Sequence, residues 1–501
     1  MAGVFIVWGL ASLVLLWLHA SNLFVLEEVG HGDSYILYDV MHFQKAGVIY
    51  RDPSQPPYLP AQYSPMVYVL YSLPGRVAVS ENPFVGPRLL VLTSFALCVA
   101  VVISIVRTLL PRWAGAWGAL LTCSVASMGG WVLQLRGDFP GICLNLLAIR
   151  LLLSHSRLGV PLAGVCAGLA MHFKMTLVAG LAAGSVWLLA QRRWRDLAEF
   201  AALGTISSAG LYLLFFAREP RMLSQMLALS PGVVDVSGWL KLIRQAGSEV
   251  VVPLAILGLS SVAFRGSRWA LVAAFAAISS VLAGLLELQA GGNVNYFFEA
   301  LFAAVPLAVL GMIRFIALGR RQEIIAVGGT AIFLVLFCLP RTSDAYGRLR
   351  ARLEGGSNSV TSRNQAFRML EQVLRGHRIF STVPRLALFD PAPALTEPYL
   401  LTYQQRLGKF DPRPILKRVH NSEFDVVITA AKRESWRGLP HIAPDLRDAI
   451  AAAYQPYCVV RGAMMHLPRR PRPERSVLAQ DLAKIGCQTV PPEGTAGSIS
   501  W

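Results

Sequence analysis

The sequence predicts an all-α polytopic membrane protein of about eleven transmembrane helices, followed by a small α/β domain outside the membrane. Three observations predict it. Hydrophobic residues make up 54% of the 501 positions and charged residues only 15%, where a soluble domain carries about 25% charge. Apolar runs separated by short basic punctuation recur over the first two thirds of the chain. Beyond Pro340 the pattern changes to polar segments with strand-like and helix-like alternation.

The apolar runs fall at 4–24, 89–106, 114–133, 139–153, 159–171, 175–190, 198–216, 250–264, 269–288, 298–313 and 323–340. No basic stretch precedes Val4–Leu18, so the first run reads as a retained helix and not as a cleaved signal. Met66–Ser80 competes as a further span, but Pro74-Gly75 breaks it and Arg76 closes it. Charge decides between the two counts. With eleven spans and a cytoplasmic N-terminus, the inside loops collect Arg107 and Arg112, Arg157, Arg192, Arg193 and Arg195, Arg265 and Arg268, and Arg314, Arg320 and Arg321. A further span would invert that distribution, against the positive-inside rule. Met66–Ser80 is therefore expected to lie along the outer surface as an interfacial helix, with Tyr68 and Tyr71 at headgroup level.

The expected organisation is a transmembrane catalytic domain over 1–340, with a first outer loop and its interfacial helices at 26–88. An extracytoplasmic α/β domain follows at 341–468 and a disordered, Arg/Pro/Gly/Ser-rich tail at 469–501. Strand-like runs at Arg378–Thr382, Phe424–Thr429 and Cys458–Leu467 alternate with helical patterns at Ser362–Leu374, Pro414–Val419 and Asp445–Tyr454. From residue 341 to the C-terminus 24 Lys/Arg face 14 Asp/Glu, a balance suited to anionic lipid. The formal charge of +17 is distributed by topology and accompanies no nucleic-acid recognition motif, so nucleic acid is not an expected partner. Five of the seven cysteines, Cys98, Cys123, Cys143, Cys166 and Cys338, sit in apolar runs and read as packing residues. Cys458 and Cys487 could pair in an exported domain.

The eleven-span topology brings four polar groups to one membrane face. Asp33 follows the first span inside Gly32-Asp33-Ser34, with Asp39 one and a half turns on. As a solvated loop residue it would be unremarked; between a span and an aromatic, Pro-rich loop, it is placed to take a proton from a hydroxyl. The loop carries Pro at 53, 56, 57, 60 and 65. It reads either as a stiffened surface loop or as a groove wall in which Tyr58, Tyr63 and Tyr68 pack on sugar faces and isoprenoid tails. Arg136-Gly137-Asp138 is either a helix junction with a local ion pair or a second acid with a phosphate-binding partner. Asp138 could orient a hydroxyl or hold a divalent cation. Lys174 interrupts an apolar stretch, an expensive position for a cation unless it snorkels to the interface or has a task. With His172 it is a candidate phosphate clamp. In Gly291–Glu299, Asn295 and Glu299 lie four residues apart on one helix face; Glu299 either serves the helix dipole or, with Asn295, grips sugar hydroxyls. No P-loop, Rossmann glycine motif or DxD signature is present.

Those residues resemble the GT-C superfamily, the membrane glycosyltransferases that use polyprenyl-phosphate sugars. The nearer likeness is to the lipid A aminoarabinose transferases and the dolichyl-phosphate-mannose protein mannosyltransferases. It spans about residues 4–340 and rests on Gly32-Asp33, Tyr63-Ser64-Pro65-Met66-Val67-Tyr68, Arg136-Gly137-Asp138, Gly168 to Lys174, and Asn295-Tyr296-Phe297-Phe298-Glu299. One departure is Ser34, where the protein mannosyltransferases often carry a Glu after the Asp. The resemblance implies an inverting transfer in the cell membrane from a polyprenyl-phosphate donor to a lipid, glycan or protein hydroxyl. In it Asp33 is the general base, Asp138 the second acid, and Lys174, Arg136 and His172 meet the donor phosphate; Tyr63, Tyr68, Asn295 and Glu299 bind sugar or acceptor. A divalent cation is an optional aid. Two other readings compete: a lipid-glycan transporter or flippase, which should place its polar groups at mid-membrane in repeated halves, and a membrane-anchored sensor or assembly factor whose exported domain binds a ligand.

Overall fold

In the computed structural model the described residues are 2–30, 32–74, 82–126, 131–154, 156–228, 236, 240, 266–288, 294–316, 339–354, 360–386, 394–395, 398–406, 408, 410–431, 442–460, 462–470 and 473–490. Helices run in the order α1 (Ala2–Ala20), α2 (Asp33–Ala46), α3 (Pro65–Ser72), α4 (Val85–Leu109), α5 (Ala114–Ala126), α6 (Asp138–Leu152), α7 (Gly159–Ala170) and α8 (Ala179–Ala190). Next, α9 (Trp194–Thr205) continues through a π turn (Ile206–Gly210) into α10 (Leu211–Arg218), and α11 (Met222–Ala228) follows. Then come α12 (Ser267–Glu287), α13 (Phe298–Ile316), α14 (Leu339–Leu353) and α15 (Val360–Leu374). The mixed remainder is β1 (Ile379–Ser381), β2 (Ala394–Leu395), α16 (Pro398–Arg406), α17 (Arg413–His420), β3 (Val426–Ala430), α18 (Pro444–Ala453), β4 (Tyr454–Val460), β5 (Ala463–Pro468), α19 (Pro473–Lys484) and β6 (Gln488–Thr489).

Two units divide the chain, and the division departs from the expected boundary at 340. The first comprises Met1–Phe24, Tyr63–Pro220 and Gly232–Gly356; the second Val25–Gln62, Arg221–Pro231 and Ser357–Trp501. Thus the first outer loop is not one piece: its part up to Gln62 belongs to the second unit, and the rest to the first. Helix α14, expected in the exported domain, packs instead on α1, where Ala345 meets Ala11 and Leu15. Arg341 fixes it there, donating from Nε to Ser12 Oγ at 2.9 Å and from its terminal nitrogen to the Ser124 carbonyl at 3.1 Å. Polar as α14 is, that arginine gives it buried partners, so the change in composition at 340 precedes the change of unit.

Within the first unit, four helical stretches among the described residues are long and apolar enough to cross a membrane: Val85–Leu109, Trp194–Arg218, Ser267–Glu287 and Asn295–Arg314. Shorter apolar helices occupy Ile6–Ala20, Ala114–Val125, Gly159–Ala170 and Ala179–Ala190. The expected runs at 250–264 and most of 323–340 lie outside the described residues, as do Gly291–Asn293 and residues 75–80 of the expected interfacial helix. Helix α7 is rich in Gly and Ala, and its small face lets α9 approach closely. A Cβ on Gly168 would stand 2.1 Å from Ser207 Oγ and 2.3 Å from the Gly204 carbonyl oxygen, so no larger residue fits. Leu213 and Leu214 on α10 stay exposed, as a lipid-facing surface requires.

Six described strands of the second unit form one sheet in the order β2-β1-β3-β5-β4-β6, parallel across β2-β1-β3 and antiparallel from β3 onward. The strand-like run Cys458–Leu467 is in fact two strands, β4 and β5, folded into a hairpin around Gly462. Val426, Ile428, Met465 and Leu467 form one core with Phe367, Leu370 and Leu374 of α15. Part of the stretch expected as a disordered tail is folded: α19 and β6 lie within the described residues 473–490, while 491–501 lie outside the described residues. Leu478 and Leu482 of α19 are fully buried, and Cys487 is disulfide-bonded to Cys458. A basic, proline-rich lead-in hid a helix whose few apolar residues suffice because a covalent tie and a ready core receive them.

Buried in that sheet, His466 places Nε2 2.9 Å from Thr429 Oγ1. Burial pushes the imidazole down to about 4 from 6.5. The folded form thus stays neutral where the unfolded form takes a proton, and the stability this contributes is complete above pH 6.5. It falls away as the pH drops toward 4, by a total on the order of 3 kcal/mol. Hydrogen exchange of β3 and β5 in the full-length protein should accelerate over that window, and His466→Gln should flatten the dependence.

Candidate functional site

The candidate site of the first unit is built where α6 and α13 begin. Gly137 precedes Asp138, the first residue of α6. A Cβ at Gly137 would lie 2.1 Å from the Phe173 carbonyl oxygen, so only glycine lets this backbone abut the turn after α7. That approach brings Lys174 to Asp138: its Nζ donates to Oδ1 at 2.7 Å. From the start of α13's segment, Asn295 Nδ2 donates to the same carboxylate at 3.0 Å and 3.1 Å. Stacked rings hold the two helix starts together, with Phe139 and Phe298 centroids 5.8 Å apart, Phe139 and Phe302 6.1 Å apart, and Phe95 edge-on to Phe139 at 5.5 Å. Neighbouring residues in sequence, 138/139 and 298/299, therefore divide the work: one packs and the other enters the polar group.

Lys174 has a second partner, the Tyr296 ring, with Nζ 3.7 Å from its centroid. An ammonium so placed is held by an ion pair and by a cation–π contact. Glu299 is buried and accepts from Asn145 Nδ2 at 2.5 Å, while the same nitrogen also donates to the Leu177 carbonyl at 3.1 Å. Asp138, Lys174, Asn295, Tyr296 and Glu299 line a small cavity of about 10 Å³, room for about one water. Ser279 also lines it, and its Oγ and Asn295 Oδ1 are buried with no hydrogen-bond partner among the described residues. Burial raises the Tyr63 hydroxyl above its usual range, and the charges of Arg136, Asp138 and Lys174 act on it, which places it beside this group.

The other expected residues divide. Arg136 lies over the Trp131 ring at 4.9 Å, and its carbonyl accepts from the Tyr71 hydroxyl at 2.5 Å. His172 does not join Lys174: its Nε2 lies 2.9 Å and 3.1 Å from the Ser208 and Ser207 carbonyls, and its ring packs on Tyr212 with centroids 4.1 Å apart. The π turn presents those carbonyls, and the imidazole satisfies them. His172 is thus a brace for the Lys174 turn, which Tyr212 also supports by donating to the Met171 carbonyl at 2.7 Å. Tyr68 is fully buried and its hydroxyl accepts from the Tyr63 amide at 2.9 Å, so it supports Tyr63 from within. Tyr58, expected on a groove wall, is planted in the second unit's core among Phe380, Leu401, Phe410 and Ile415. Its two apolar neighbours, Leu59 and Ala61, are buried with it.

Asp33 belongs to the second unit. It opens α2 after Gly32, whose φ of +95° makes the turn, and its Oδ2 accepts from the amides of Gly30 at 3.0 Å and Val29 at 3.2 Å. Six residues on, Asp39 accepts a hydrogen bond from Arg51. Among the described residues no three His, Cys, Asp or Glu side chains converge to hold a metal ion. Asp138, the residue considered for a divalent cation, already has both oxygens engaged by Lys174 and Asn295. That donor set does not fit the ion.

Sequence reasoning missed Asn145 and Tyr296. Asn145 had a signal, since an amide inside the apolar run 139–153 demands a partner; Tyr296 had none, because an aromatic at a helix start is ordinarily packing.

No family model and no curated protein matches the sequence. Solved structures do match its fold. ArnT from Cupriavidus metallidurans bound to undecaprenyl phosphate is 14% identical, with 93% of this chain and 98% of that chain covered and a TM-score of 0.61; its apo state gives 0.62. The oligosaccharyltransferase of Archaeoglobus fulgidus tethered with an acceptor peptide is 12% identical over 92% of this chain and 74% of that one, with a TM-score of 0.53. The chain accordingly has the fold of these solved structures, and four of its described helices are long and apolar enough to cross a membrane.

The buried Asp138–Lys174 pair sets a double-mutant test. Asp138→Asn or Lys174→Met alone strands a buried charge and should cost about 3–5 kcal/mol. The double variant should recover a large part of the loss. Thermal unfolding of the detergent-solubilised protein reads both.

Proposed function

We propose that this protein is a glycosyltransferase that moves a sugar from a polyprenyl-phosphate donor to an acceptor hydroxyl. The observation that carries the reading is a largely buried cation inside this fold: Lys174, held by Asp138 and Tyr296 in the lining of a small cavity. A solved structure of the same fold, ArnT, is bound to undecaprenyl phosphate. Asp138 keeps the ammonium protonated and oriented, and an ammonium retains further protons for a phosphate oxygen. Tyr63 and Arg136 supply a hydroxyl and a second positive charge. As the sugar–phosphate bond breaks, negative charge grows on the leaving phosphate, and fixed cations in a water-poor setting stabilise that change most.

Asp33 is our candidate for the general base. Its carboxylate takes the acceptor's proton while the oxygen attacks the anomeric carbon opposite the phosphate, so the configuration inverts. We place the reaction on the outer face of the cell membrane, with eleven spans, a cytoplasmic N-terminus and the C-terminal domain outside. The disulfide between Cys458 and Cys487 supports that side, because such bonds persist in oxidising compartments. Asn295 and Glu299 are proposed to orient sugar hydroxyls through the cavity. The acceptor is a lipid, glycan or protein hydroxyl.

Purified protein supplied with undecaprenyl-phosphate-linked monosaccharides (a hexose, a pentose and an aminopentose) should transfer or slowly hydrolyse at least one. Asp33→Asn should lower that rate by about 10²–10⁴-fold, and Lys174→Ala should weaken binding of undecaprenyl phosphate itself. Wild-type rates in Asp33→Asn would remove the base assignment. Failure of the wild-type protein to bind any of these lipids would remove the transferase reading.

A further inference from the structure

Asp33 does not hold itself. Its Oδ2 is oriented by the amides of Val29 and Gly30, and those amides lie in a short segment, 25–30, without regular secondary structure. Such a segment would sample many conformations unless something anchors it. Helix α15 of the same unit does so at three points. Asn364 Oδ1 accepts the Leu26 amide at 2.8 Å, and Arg363 donates to Glu27 Oε2 at 3.1 Å. Leu26 itself is buried in the core formed by Phe367, Leu370 and Leu374 of that helix. The next residue, Glu28, accepts from Ser34 Oγ at 2.9 Å and so ties the segment to the first turn of α2. Every residue from Leu26 to Gly30 therefore has a place in the chain of contacts: 26 and 27 grip α15, 28 grips α2, and 29 and 30 hold the carboxylate.

We infer that Asn364 and Arg363, more than 300 residues from Asp33 in sequence, are positioning residues for its carboxylate, and that the C-terminal domain is in this sense part of the catalytic machinery. The inference rests on the reading of Asp33 as the general base. Asn364 is the stronger member. A backbone amide accepted by a side-chain carbonyl admits little choice of geometry, whereas the Arg363–Glu27 pair is partly exposed, at 24% and 10%. Asn364 and Arg363 contact Leu26 and Glu27, so their proposed role is to position the carboxylate and not to bind donor.

The test uses the full-length protein in detergent or nanodiscs and reads two quantities. In Asn364→Ala, hydrogen exchange of the amides over 26–34 should accelerate about tenfold or more, with β3 and β5 unchanged. The transfer rate from undecaprenyl-phosphate monosaccharides should fall about tenfold in kcat with KM for the donor unchanged. Asn364→Asp keeps an acceptor oxygen at the same place and should restore both. Arg363→Gln should shift both in the same direction by less, and it carries the comparison if Asn364→Ala does not fold. Unchanged exchange over 26–34, acceleration spread over the whole unit, or an unchanged kcat would each overturn the inference. Wild-type transfer by Asp33→Asn would instead overturn the base reading, and the catalytic half of this inference with it; the Asp33 variant alone separates that failure from failure of the anchor.

Discussion

The ion pair of Lys174 with Asp138 is the constraint on which the first unit's polar centre depends. Two charges taken out of water cost several kcal/mol each unless geometry returns the energy. The fold secures that geometry at the backbone. Gly137 brings the start of α6 against the Phe173 carbonyl, one residue from Lys174, and stacked Phe139, Phe298 and Phe302 bring α13 alongside. Once Asp138 and Lys174 meet, Asn295 and Tyr296 complete the coordination of both charges. The turn that carries Lys174 is braced from behind by His172 and Tyr212. Residues that look like independent functional candidates in sequence are thus one mechanical assembly, with only some of its members available for chemistry.

The second unit obeys a different constraint, connection between distant pieces of chain. Residues 25–62 would be a loop without a core of their own. Leu26 and Tyr58 supply apolar anchors to the α/β core, one to each of its two clusters. Gln225, from a short helix in another part of the chain, joins the loop's limbs: its Oε1 accepts the Ala61 amide at 2.9 Å and its Nε2 donates to the Arg51 carbonyl. A single side-chain amide thereby does for two limbs what a strand pairing does in a sheet. The aromatic and proline content that suggested a sugar-facing wall is in good part the material of this anchoring.

Much of the site could be read beforehand, and the reason is cost. Asp138, Lys174 and Glu299 stand out because charge beside apolar runs is expensive, and the topology inferred from arginines placed them on one side. Their meeting in one group is what the structure adds. His172 and Tyr68 have partners that the sequence does not indicate, for a common reason: a polar atom in an apolar context announces that it needs a partner, not which partner it has. In His172 the partners are carbonyls released by a π turn, a feature with no sequence pattern of period 3.6 or 2. Over 473–490 composition suggests a tail because it reports average polarity, while folding there turns on a few residues, Leu478, Leu482 and Cys487.

What the sequence determined by itself is the class: long apolar helices, a mixed α/β region after them, and a handful of ionisable groups that apolar surroundings would not tolerate idle. Hydrophobicity, periodicity and charge asymmetry are local or additive, so a linear reading captures them. Only the tertiary structure decided which groups neutralise one another, where one unit stops and the next begins, and that Asp33 is held through a helix beginning at Val360. Those depend on contacts such as Leu26 with Asn364, separated by 338 positions. No property of either residue encodes such a pairing until the intervening chain has folded and brought them together.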